Sequence, residues 1–204
     1  MFELIRAGGW VMWPIILCSI AALAIIGERF WSLQAKYVAP PNLVDQARQW
    51  LTRNELDEAR INLLRQSSPL GQVLAAGLVN RRHERAITKE SIEDAGRHVM
   101  PELERYLRAL GTIGMISPFL GLLGTVLGMI TMFAGIGTHG VGDPSIVATG
   151  ISQALVATAG GLLVAIPSLI FYRYFRGRVA ALALEMERQA IRLVEVIHGE
   201  REND

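Results

Sequence analysis

The stretch GISQALVATAGGLLVAIPSL, residues 150–169, decides how the chain is read. It has no charged residue and is long enough to cross a bilayer. Yet it carries Ser152, Gln153 and Thr158 beside Gly160 and Gly161, with Pro167 near its end. Lipid rewards none of these. A helix with one glycine-rich, hydroxyl-bearing face presents that face to protein.

Outward from this stretch, residues 144–172 contain no Lys, Arg, Asp or Glu, and neither do residues 110–142. Each exceeds the roughly 20 residues that span a hydrocarbon core about 30 Å thick. A third uncharged run, from Gly8 to Gly27, opens with Trp10 and Trp13, residues suited to the membrane interface. It resembles a secretory leader only superficially, because its flank MFELIRAGG has no basic excess. The sequence therefore predicts an all-α membrane protein with three transmembrane helices.

Basic residues set the orientation. Residues 32–109 hold 12 of the 20 Lys and Arg, and the tail after Tyr172 holds six more. The connection GIGTHGVGDPS holds none. The expected layout is an external N-terminus (1–9), a first span (10–31), a cytoplasmic helical domain (32–109), a second span (110–137), an external loop (138–144), a third span (145–172) and a cytoplasmic C-terminal helix (173–204). That is N out and C in. Thr88 is expected to cap a helix that runs on into the second span, and the third span is expected to continue into the tail. Pro101 and Pro167 are expected to kink their helices.

At about 100° per residue, Ser117, Gly121, Gly124, Gly128 and Gly135 share one arc of the second span. Gly150, Ala154, Ala157, Thr158, Gly161, Ala165 and Ser168 share an arc of the third. Small residues in a membrane helix allow close backbone approach, so each helix has a packing seam and an opposite bulky face. The hydroxyls of Thr125, Ser152 and Thr158 have a local alternative, a bond to a carbonyl one turn earlier. The Gln153 amide has more hydrogen-bonding sites than its own helix can satisfy. Glu28 and Arg29, at the end of the first span, are expected to snorkel towards the headgroups. Cys18 reads as a small apolar residue.

The near balance of 20 basic and 19 acidic residues gives no argument for nucleic-acid binding. His83, His98, His139 and His198 are scattered, and neither HExxH nor CxxC occurs. No enzyme, catalytic residue, metal or cofactor is expected. A solute transporter would call for internal repeats or broken helices about a midplane site, and a plain membrane scaffold would leave Gln153 and Thr158 incidental.

SPFLGLLGTVLGMITMF at 117–133, followed by GISQALVATAGGLLVAIPSLIFYRYF at 150–175, resembles the ExbB/TolQ/MotA proton-channel family. The likeness extends through SIEDAGRHVMPELERYLRALGTIG and GERFWSL and is stronger towards ExbB than towards TolQ. The resemblance implies a multi-pass protein of the bacterial inner membrane that forms a homo-oligomer, a pentamer. Its second and third spans would line a pore holding helices of an ExbD- or TolR-like partner, and proton flow would energise a TonB- or TolA-like protein. The ExbB branch implies transport across the outer membrane; the TolQ branch implies envelope maintenance and cell division. Thr125 and Thr158 match the family's pore-facing threonines, and Gln153 is expected to face inward with them and line the proton pathway. Gln153 stands where many relatives carry Glu, and an amide cannot titrate. No residue of the second or third span can carry a proton as a titratable group at ordinary pH, so the resemblance assigns the proton-carrying carboxylate to the partner.

Overall fold

The computed structural model describes residues 8–53, 55–139 and 144–199. Most of the expected external N-terminus and external loop therefore lies outside the described residues. Regular structure among the described residues is helical throughout, as eight helices: α1 (Met12–Ser32), α2 (Ala35–Val38), α3 (Leu43–Thr52), α4 (Glu58–Ser67), α5 (Pro69–Val79), α6 (Arg85–Leu103), α7 (Leu107–His139) and α8 (Pro144–Ile197). Three of them, α1, α7 and α8, are long and apolar enough to cross a membrane. Two compact units result, Met1–Glu28 with Tyr106–Tyr174 and Arg29–Arg105 with Phe175–Asp204.

In the first unit, α7 and α8 pair antiparallel along their small residues. A β-carbon added at Gly161 would lie 2.5 Å from the Ser117 carbonyl oxygen, and one at Gly121 would lie 3.1 Å from Thr158 Cα. Further along, Gly128 and Gly150 face each other's carbonyl oxygens, each 2.7 Å from such an added carbon. Side chains are absent at these points because backbone occupies the space. The start of α1 lies in one groove of this hairpin. Val11, Met12 and Ile15 are buried there with Val164, and Ile113, Leu120, Leu127 and Val156 pack around them. The seven-residue spacing of Ile113, Leu120 and Leu127 keeps all three on one stripe of α7.

The second unit is built around α5, a helix of apolar and small residues buried on nearly every side. Leu70, Leu74, Ala75 and Leu78 have no exposed surface. Ser68 caps it by accepting from the Gly71 N–H at 3.0 Å, and Pro69 occupies its first turn, where a missing N–H does no harm. Gly77 leaves room for Ile92 of α6 and Leu193 of α8. The C-terminal part of α8 contributes Leu182, Met186, Ala190, Leu193 and Val194 to this core.

Three local expectations change. The helix from Arg85 does not continue into the second span: it ends at Leu103, and Tyr106 takes φ 61° before α7 begins. Positive φ in a bulky residue is a strained joint, and no Gly or Pro marks it in the sequence. Thr88 is not the cap. Glu84, with extended backbone, precedes α6, while Thr88 is fully buried and its hydroxyl donates to the Asn80 carbonyl at 3.1 Å. Arg29 is only 4% exposed, and its guanidinium donates to the Leu103 carbonyl at 3.3 Å. It caps the end of α6 instead of reaching for headgroups, because an unsatisfied helix C-terminus attracts a cation.

Candidate functional site: the α7–α8 hairpin

The geometry of the hairpin follows from where its bulky residues go. On α7, Met115, Phe119, Leu122, Val126, Ile130 and Phe133 are exposed; on α8, Ile151, Leu155, Leu162 and Ile166 are exposed. Single soluble domains do not leave such a surface open. Ser117, Gly121, Gly124, Gly128, Gly150, Ala154, Ala157, Gly161 and Ala165 are all buried. The two seams thus face one another within one chain.

Of the buried hydroxyls, two are locally satisfied. Ser117 donates to the Ile113 carbonyl at 2.7 Å and Ser168 to that of Val164 at 2.6 Å. Neither is available for exchange.

The three polar residues expected at a proton pathway are distributed unequally. Thr125 and Thr158 are both half-buried, and Thr158 is level with Gly121, one turn from Thr125. Thr125 is tied to its own helix, donating to the Leu122 carbonyl at 2.6 Å. Thr158 instead reaches across to the Gly121 carbonyl at 3.5 Å, the long limit for an O–H donor. Its hydroxyl is therefore weakly held. On each helix the threonine lies five residues after a residue of the α1 stripe, Leu120 or Gln153. Five residues turn a helix by about 140° net, which places both threonines on the flank away from α1.

Gln153 lies on the other flank. Its amide nitrogen occupies the space where a β-carbon of Gly9 would stand, and its Cδ lies 3.1 Å from that point. The structure brings Thr125 and Thr158 to one flank and Gln153 to the opposite one. Helical periodicity separates Gln153 from Thr158 by about 140°, but nothing in it identifies the contact partner, a glycine outside any helix.

No group of three His, Cys, Asp or Glu side chains able to hold a metal occurs among the described residues. The hairpin offers hydroxyls, amides and close-packed backbone and no carboxylate in either charge-free stretch.

With this geometry in place, comparison with known proteins identifies the kind of molecule. The model of the MotA/TolQ/ExbB proton channel family matches residues 65–188, more than half of the chain. The chain belongs to this family. It is similar to the biopolymer transport protein exbB1 of Vibrio cholerae, 30% identical over 79% of this chain and 72% of that one. It is also similar to biopolymer transport protein ExbB of Salmonella typhimurium, 33% identical over 84% of this chain and 73% of that one. A third relative is the putative biopolymer transport protein ExbB-like 3 of Synechocystis, 32% identical over 83% of this chain and 82% of that one. The matched span contains both seams and both threonines. The protein is a proton-channel-family subunit and a multi-pass protein of the bacterial inner membrane.

Proposed function

We infer that this chain is the ExbB-like stator of a motor driven by the proton-motive force, lying N out and C in. The observation that carries the reading is the pairing of Thr125 and Thr158 on the flank of the hairpin that α1 leaves open. Copies of the chain associate there as a ring, a pentamer, and the threonine flanks line its axis. The pore so formed is apolar with hydroxyl steps. It holds transmembrane helices of an ExbD-like partner, whose carboxylate supplies the titrating group that the two pore-lining spans lack.

Proton passage then works by division of labour. The partner's carboxylate carries the proton, and the Thr158 hydroxyl, held only weakly by Gly121, donates to or accepts from it. The resulting motion energises a TonB-like protein for transport across the outer membrane. The ExbB names of the relatives above support this branch over a TolQ-like one.

The test is proton flux in liposomes. This chain alone should conduct poorly, and co-reconstitution with an ExbD-like subunit should raise the flux at least tenfold. Rapid flux through the chain alone, with the partner shown absent, would overturn the reading.

A further inference from the structure

The residue left without a role by that reading is Gln153. It belongs to a stripe of α8 whose other members, Val156, Gly160 and Val164, all meet α1. A β-carbon on Gly8 would lie 3.2 Å from Val156 Cγ1, and one on Gly160 would lie 3.3 Å from Met12 Cε. Val164 is buried with Val11, Met12 and Ile15. Gln153 is the polar member of this stripe. It sits against the turn that starts α1, where the Met12 N–H donates to the Gly9 carbonyl at 3.2 Å and Gly9 takes φ 72°.

That turn has a specific requirement. A φ of 72° is readily adopted by glycine, and the amide of Gln153 fills the volume any side chain at position 9 would need. Glycine and glutamine are therefore matched to each other. We propose that Gln153 is a positioning residue: its amide holds the Gly9 turn against α8 and so fixes the rotation of α8 that presents Thr158 on the opposite flank. Polar side chains at membrane depth face protein or water, and here the protein faced is the backbone turn of the same chain. A rotation of α8 by one residue's worth, about 100°, would carry Thr158 out of its place beside Gly121. The Gln153 contact opposes such a rotation from the far side of the helix. The part played by Thr158 rests on the function proposed above; the Gln153–Gly9 contact does not.

Two measurements separate the contact from the function. In lipid bilayers, solid-state NMR of the labelled full chain should give a cross-peak between the Gln153 side-chain amide and Gly9 Cα; its absence overturns the proposal. In liposomes holding this chain and its ExbD-like partner, Gly9→Ala should lower partner-dependent proton flux at least fivefold at matched protein levels. Adding Gln153→Asn, one methylene shorter but still an amide, should recover a measurable part of that loss, the remainder being the strain of an alanine at φ 72°. Displacing the amide would also lower the flux if Gln153 were itself a step of the pathway, so Gln153→Glu is the variant that separates the two roles. Under that role Gln153→Glu would keep or raise the flux; under ours it lowers it. Unchanged flux in Gly9→Ala, or a flux raised by Gln153→Glu, overturns the proposal. If Thr158→Val is inert while the cross-peak and the rescue are present, the pore assignment fails and the positioning contact stands.

Discussion

A β-carbon placed on Gly161 would stand 2.5 Å from the carbonyl oxygen of Ser117, and the atom it meets is backbone. No side-chain rotation can relieve that clash, so the helices must separate. Gly161→Ala should therefore destabilise the hairpin even though alanine is the better helix former. The helix gain is about 1 kcal/mol, against an overpacking penalty of about 1–3 kcal/mol. Gly161→Leu and Gly124→Leu should fail to accumulate in the membrane. Gly96, which has nothing within 4 Å of an added carbon, is the control: Gly96→Ala should raise the thermal midpoint. Thermal unfolding of purified variants in detergent decides between these signs.

The three spans and the two seams were legible because lipid imposes simple rules: long charge-free runs cross, and small residues in them mark close approach. What was not legible depended on contacts between distant parts of the chain. Periodicity puts Gln153 on α8, but nothing in it says that Gly9 will occupy the opposite space. The α5 helix, PLGQVLAAGLV, has no amphipathic pattern to announce it, because it is buried on nearly all sides. Tyr106 breaks the chain with no Gly or Pro to mark the break. Thr88 has the chemistry of a cap and is used instead to bind the end of the preceding helix, through Asn80.

Arg29 illustrates the same limit and yields a prediction. At 4% exposure, its charge is held by buried partners, among them the Leu103 carbonyl. Hydrogen bonds from charged groups contribute about 1.5–3 kcal/mol. Arg29→Ala should lower stability by about that amount. Arg29→Lys should recover only part of it, because an ammonium lacks the planar fork. A lysine variant as stable as the parent in a denaturation series would show that charge alone suffices.

Glu55 and Arg60 give a pH dependence outside the spans. Arg60 donates to the Glu55 carboxylate at 2.6 Å, and its guanidinium carbon lies 5.7 Å from the Trp50 ring centroid. The hydrogen bond from Arg60 holds the Glu55 pKa below the usual glutamate value. A depressed carboxylate stabilises the fold above its unfolded pKa, and that contribution is lost as pH falls through the folded value. At neutral pH it is fully present. The pair is exposed, so the effect on stability is small and the titration itself is the better readout. NMR should place the Glu55 midpoint below the usual glutamate value, and Arg60→Gln should raise it. An unmoved midpoint would refute the pairing.

Thr158 is the most exacting test of the proton pathway. Its hydroxyl has a partner at 3.5 Å on the facing helix, whereas Thr125 is held at 2.6 Å by its own. A weakly held hydroxyl can turn towards a new acceptor at little cost; a tightly held one cannot. Thr158→Val keeps the shape of the side chain and forfeits only the long hydrogen bond to Gly121, a loss of no more than about 0.5–1.5 kcal/mol, so the hairpin should still assemble. Partner-dependent proton flux should nevertheless fall at least tenfold. Thr158→Ser keeps donor and acceptor and should retain most of the flux, although the lost methyl leaves a small void. Thr125→Val, by contrast, removes a hydroxyl already committed to Leu122 and should reduce flux no more than threefold. The comparison is made in liposomes with the ExbD-like partner and matched protein levels. Equal loss in both valine variants would mean that the weak Gly121 contact has no bearing on proton passage, and parental flux in Thr158→Val would remove this residue from the pathway.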